Sequence, residues 1–252
     1  KRATSVYLVD RVAPMFPERL SNIICSLRPN EDKCCYAAVF KMDANAKVKD
    51  TWFGRTIIHS QKRFTYDEAQ EIIEGQDGVF KNELLQLNGL AQILRTQRFK
   101  EGAIGFEAPE TKFKLDDNGK PIGVYVKERK EAHLLIEDFM LLANKSVAAF
   151  IAKEKNKNGK VPFVYRVHDL PNEEKLIDFQ LFAQKFGYKI QFDNPIQIAR
   201  ELNKLMKDID GKPEQAVLQQ LAIRCMAKAV YTTNNIGHYG LGFEHYTHFT
   251  SP

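Results

Sequence analysis

Apolar residues along the chain fall into two kinds of pattern. From Cys34 to Met42 and from Trp52 to Ile58 they are β-branched and aromatic, and the polar, Asn-containing stretch Asp43 to Asp50 separates them, which predicts a β-hairpin. Leu84, Leu87, Ala91, Leu94 and Arg98 instead recur at steps of three and four, so an amphipathic helix is expected to end near Gly102. Short strands are expected at Ala103 to Glu107, Lys112 to Leu115 and Ile122 to Lys127, with Asp117-Asn118-Gly119 turning the chain between the last two. The longest helix should run from Glu131 to Lys155, its apolar arc formed by Ala132, Leu135, Ile136, Phe139, Ala143, Val147 and Phe150. On that helix Glu137 and Asn144 share one flank of the arc, while Asp138 points outward.

Capping signals place further elements. Thr65-Tyr66-Asp67-Glu68 fits a capping box, which puts Tyr66 at the first helical position. Asn172, Asn194-Pro195 and Pro213 announce three more helices, the last running from Ala216 to Val230. Residues 1–32, punctuated by Pro14, Pro17 and Pro29, have no sustained period, and neither does the tail from Tyr231 onward. Together these elements give an α+β fold, a mixed or antiparallel sheet packed against several helices.

Composition narrows the class. A chain of 252 residues with 44% hydrophobic positions buries roughly 70–75% of its unfolded surface, so it needs neither disulfides nor a structural metal. Charges interrupt every apolar run well short of the ~20 residues that span a bilayer, and no secretory leader stands at Lys1-Arg2, so no membrane partner and a cytoplasmic location are expected. Cys25, Cys34, Cys35 and Cys225 lack metal-site or redox-motif spacing and are read as reduced, structural thiols. The net charge of +5 permits a polyanionic partner without establishing one.

Several residues invite chemistry. Three of the six histidines, His238, His245 and His248, crowd the tail, but their spacing is not that of H-E-x-x-H, and hydrogen-bonded structural histidines are the reading preferred over a metal site. Glu137 and Asp138, adjacent on a helix, point about 100° apart and cannot act on one atom. Glu137 with Asn144 could rim a site, yet from spacing alone a solvated helix face is the simpler reading. Tyr7, Tyr66 and Phe106 stand in irregular or terminal positions where rings could stack on bases, although such aromatics are more often core. No phosphate-binding glycine loop, G-x-S-x-G or Cys-His signature is present, and Asp116-Asp117 belongs to a hairpin tip.

Read together, several strings resemble the catalytic RNB domain of the ribonuclease II and ribonuclease R family, most closely its bacterial ribonuclease R members. They are T-S-V-Y-L-V-D-R-V-A-P-M-F-P-E-R-L-S-N (Thr4 to Asn22), C-S-L-R-P-N-E-D (Cys25 to Asp32), F-T-Y-D-E-A (Phe64 to Ala69), A-H-L-L-I-E-D-F-M-L-L-A-N (Ala132 to Asn144), Y-R-V-H-D (Tyr165 to Asp169), and N-I-G-H-Y-G-L with Y-T-H-F-T-S-P (Asn235 to Pro252). They follow the family's order and reach across nearly the whole chain.

The resemblance implies a processive 3′-to-5′ exoribonuclease that hydrolyses RNA to nucleoside 5′-monophosphates with Mg²⁺ by two-metal chemistry. Tyr7 and Phe106 match a pair that clamps the terminal base of single-stranded RNA. Tyr66 and Glu137 match a catalytic-site tyrosine and glutamate that favour ribose over deoxyribose. The family's clustered metal-binding aspartates, and the arginines that follow T-S-P, have no counterpart here. Residues 1–252 are therefore expected to be a partial RNB domain, inactive in isolation, whose parent also carries cold-shock and S1 domains. Two alternatives stand beside this: a non-catalytic RNA-binding scaffold that retains the RNB framework, and an unrelated hydrolase using the tail histidines with a metal. Self-association through bared apolar surface is a further expectation.

Overall fold

The computed structural model describes residues 4–106, 110–156 and 159–249. The chain divides into two compact units, one formed by 1–90, 108–137 and 249–252, the other by 91–107 and 138–248.

The first unit opens with a small antiparallel pair, β1 (Val6–Tyr7) and β2 (Val12–Ala13), and a π-helical turn at Arg19–Ile24. A long antiparallel ribbon follows, β3 (Asp32–Met42) and β4 (Val48–His59), with Asp32 opposite His59 and Val39 opposite Trp52. Its turn is organised by Asp43, whose carboxylate accepts from the backbone N–H groups of Asn45 and Lys47 at 3.0 Å each, as expected of an Asx-type turn. Helix α1 (Tyr66–Ile73) starts at the Thr65–Glu68 capping box, both halves of which form. Helix α2 (Lys81–Lys100) begins in this unit. The hairpin β5 (Glu110–Leu115) and β6 (Pro121–Lys127) turns on Asp116, and α3 (Glu131–Lys153) starts beyond it.

The second unit holds the main core. After the short pair β7 (Lys155–Asn156) and β8 (Gly159–Lys160), β9 (Tyr165–Val167) pairs antiparallel with β10 (Val230–Thr232). Between β9 and β10 lie α4 (Glu173–Gln184), α5 (Pro195–Asp208) and α6 (Gln215–Cys225). Leu176, Phe179, Leu202, Leu205, Ile209 and Leu218 form their shared apolar interior. Each such side chain contributes about 1.5–3 kcal/mol on burial. The fold is thus α+β, and every strand pairing within its sheets is two-stranded and antiparallel among the described residues.

Three expectations are corrected. Residues 103–106 form no strand, because their polar groups are taken elsewhere: Ile104 N–H donates to the Gly240 carbonyl at 2.9 Å, and the Asn203 amide spans Gly105 N–H and the Ala103 carbonyl. The remaining position, 107, lies outside the described residues. The helix expected from Ala216 to Val230 stops at Cys225, whose carbonyl accepts the Asn172 N–H at 2.9 Å, and Val230 joins β10. On α3 the buried line runs through Ala132, Leu135, Asp138, Leu141, Leu142 and Ala148, whereas Ile136 and Phe150, assigned to the core arc, are exposed. Asp138 therefore points inward and not outward.

Candidate functional site

In the first unit, the N-terminal ends of α1 and α3 are tied together. The buried Gln70 side chain on α1 accepts the Ala132 N–H through Oε1 at 2.9 Å and donates through Nε2 to Glu74 Oε1 at 2.8 Å. Lys130 and Asp67 add a loose ion pair at 3.5 Å between the same two helix ends. Tyr66, at the first position of α1, lays its ring on the His133 imidazole with centroids 4.1 Å apart and planes 15° from parallel. His133 in turn accepts the Lys130 N–H on Nδ1 at 3.3 Å, doing at α3 what the Glu of a capping box does at α1.

Glu137 lies one turn further along α3, on the same helix face as His133. Its carboxylate pairs with the Arg129 guanidinium, and both side chains are partly exposed. A carboxylate offers about four lone-pair positions, so pairing with an arginine does not by itself exhaust its capacity to accept hydrogen bonds. The structure thus brings Tyr66 and Glu137 to one end of α3, with His133 as the link. His133, Arg129 and Gln70 were not singled out from the sequence, although the four-residue step from His133 to Glu137 was visible there.

Tyr7 stands in β1 of this unit with 79% of its surface exposed. Phe106 belongs to the second unit and packs, partly buried, against the α4–α6 core. Asp138, the acid beside Glu137, has a different role. It is 4% exposed and accepts from Arg95 Nε at 2.9 Å and Arg98 at 3.2 Å. Burial pulls the Arg98 pKa down, and the facing Asp138 opposes that shift.

The second unit contains a cleft of about 950 Å³ lined by Tyr165, His168, Asp169, Asn235, His238 and Tyr239, among others. His168 and His238 stack at 5.1 Å, and burial lowers the pKa of both, that of His238 to about 4. His168 Nδ1 accepts the Gly240 N–H at 2.9 Å. His245 is held by Asn235 at 2.6 Å and His248 by the Tyr246 hydroxyl at 2.9 Å, so the tail histidines face separate partners. No group of three or more His, Cys, Asp or Glu side chains among the described residues could hold a metal ion, so these residues do not by themselves fit a Mg²⁺ site.

Comparison with known proteins completes the picture. The RNB domain family model matches residues 1–252. The chain is 36% identical over 258 residues to ribonuclease R of Aquifex aeolicus, covering 100% of this chain and 36% of that protein. A solved structure of Mycoplasma genitalium ribonuclease R in complex with ribose-methylated single-stranded RNA matches 99% of this chain and 39% of that one, with a TM-score of 0.88 and 28% identity. Yeast Ssd1, described as a pseudonuclease, shares the fold at a TM-score of 0.73 and 20% identity, over 100% of this chain and 31% of its own. The chain thus spans about a third of the length of the ribonuclease R proteins it matches.

Proposed function

Because this chain belongs to the RNB domain family, we propose that it is the part of a ribonuclease R-like enzyme that grips the 3′ end of single-stranded RNA. The parent enzyme removes nucleotides processively in the 3′-to-5′ direction as nucleoside 5′-monophosphates. What carries this reading is the placement of an aromatic ring and an acid at one helix end, Tyr66 through its stack on His133 and Glu137 one turn away. It is supported by the match to ribonuclease R over the full length of the chain.

In this reading the Glu137 carboxylate accepts a hydrogen bond from the terminal 2′-OH, a group DNA lacks. Tyr66 packs beside the same sugar, and the rings of Tyr7 in the first unit and Phe106 in the second are each assigned by the resemblance to stacking on a base, a stack contributing roughly 1–3 kcal/mol without regard to sequence. The carboxylates that hold Mg²⁺ for hydrolysis, and the cold-shock and S1 domains that feed RNA in, belong to other parts of the parent. A cytoplasmic compartment is the proposal for the parent, where its RNA substrates are found; separately, no helix among the described residues is long and apolar enough to cross a membrane.

The test is the full-length parent assayed on RNA and DNA oligonucleotides of one sequence. A hydrogen bond to a charged group is worth about 1.5–3 kcal/mol, so Glu137→Ala should cut the RNA-over-DNA ratio of kcat/KM by about tenfold or more. An unchanged ratio removes Glu137 from ribose recognition. If the parent binds RNA but releases no mononucleotide with Mg²⁺, the non-catalytic scaffold is the correct reading. The 252-residue chain alone should leave end-labelled RNA intact. Laddering by that chain would show that it carries its own metal ligands.

A further inference from the structure

We infer that His133 is a positioning residue for ribose recognition, holding the Tyr66 ring in place beside Glu137; this rests on the function proposed above. Among the described residues the stack on His133 is the sole ring contact of the Tyr66 side chain, which has no hydrogen-bond partner and is 47% exposed. A half-exposed tyrosine at the first position of a helix would otherwise sample several rotamers, and binding a nucleotide against it would have to freeze them.

The imidazole is well suited to prevent this, because it is itself fixed. Nδ1 accepts the Lys130 N–H, which orients the ring plane and leaves the proton of the neutral form on Nε2. The neighbouring Ala132 N–H is anchored on the buried Gln70 of α1, so the backbone that carries His133 cannot drift from the helix that carries Tyr66. The near-parallel geometry covers one face of the phenol ring and leaves the other for the sugar or base. His133 touches neither substrate nor reacting atoms in this account; it acts through Tyr66.

Two jobs of His133, stacking and capping, can be separated in the full-length parent enzyme. His133→Gln keeps a side-chain acceptor for the Lys130 N–H but loses the ring, whereas His133→Phe keeps the ring and loses the acceptor. Loss of one aromatic stack corresponds to about a two- to tenfold effect, so His133→Gln should raise KM for RNA and lower the RNA-over-DNA ratio by that factor. His133→Phe should restore both values toward the parent. In a Tyr66→Ala background, His133→Gln should have no further effect, because its partner is gone. Melting temperatures of all variants identify any that fail to fold, and the comparison is then made among the remaining members of the cycle.

A Tyr66→Ala defect together with a normal His133→Gln enzyme overturns the proposal. A His133→Phe enzyme as impaired as His133→Gln also overturns it, since the cap and not the stack would then be at work. Undiminished additivity of His133→Gln on Tyr66→Ala does the same. If Tyr66→Ala itself leaves RNA-over-DNA preference unchanged, the underlying assignment of Tyr66 fails instead, and the two failures are thereby distinguished.

Discussion

Glu137 and Asp138 are neighbours of like charge with opposite fates. The helix turns about 100° between them. Glu137 stays at the solvent margin with Arg129, while Asp138 is drawn inward by Arg95 and Arg98, whose own side chains are only 17% and 11% exposed. Removing the aspartate would take a shared carboxylate from two arginines held in low dielectric. Asp138→Ala should therefore cost about 3–5 kcal/mol of stability, read from the urea midpoint, and a loss below about 1 kcal/mol would mean that water relieves the arginines. The inward turn of Asp138 was not legible in the sequence, because its partners lie 43 and 40 positions away. Tyr66 was located correctly because its position depends on a four-residue capping signal, which is local.

At the scale of elements, the same contrast holds. The ribbon β3–β4, the hairpin β5–β6 and the starts of α1, α4 and α5 follow from turn and cap residues a few positions apart, and Asn172 and Asn194 cap as expected. The face of α3 did not follow, since Leu134, Leu135, Ile136, Met140, Leu141 and Leu142 surround the helix with apolar groups, and only its neighbours decide which are covered. The tail is likewise shaped by tertiary contact. Gly237 and Gly242 adopt φ of +83° and +67°, and a Cβ on Gly242 would come within 3.1 Å of the Ala103 backbone nitrogen. This loop is pinned by His168 and His238, which are half-buried, and their desolvation favours the neutral imidazole. Below the unfolded-state pKa of about 6.5 the unfolded chain takes up protons that the folded chain refuses, so stability should fall as pH drops from there toward about 4 and change little above it through these groups. His238→Gln should flatten the fall in melting temperature between pH 6.5 and pH 5; an unaltered slope would assign the effect to other groups.

Across the whole molecule, apolar burial is uneven. Among the described residues the clusters of buried side chains lie in the second unit, and the first carries Tyr36, Trp52, Ile57, Ile122 and Val124 at its surface, with Ile57 71% exposed. Such a surface is costly in water, and the chain by itself should self-associate with rising concentration in sedimentation. A single monomeric species up to about 100 μM, within the micromolar-to-millimolar range in which exposed apolar surface drives aggregation, would show that these residues do not act together. The sequence placed each of these residues in a strand, but a strand pattern does not reveal which side chains end up covered.

The two-stranded ribbon has one more consequence. With no third strand paired to either side among the described residues, each of its long margins carries amide and carbonyl groups that no sheet ladder uses. Cys34, a free and exposed thiol on one strand, would report any lateral zippering of two ribbons as a spontaneous intermolecular cross-link under mild oxidation.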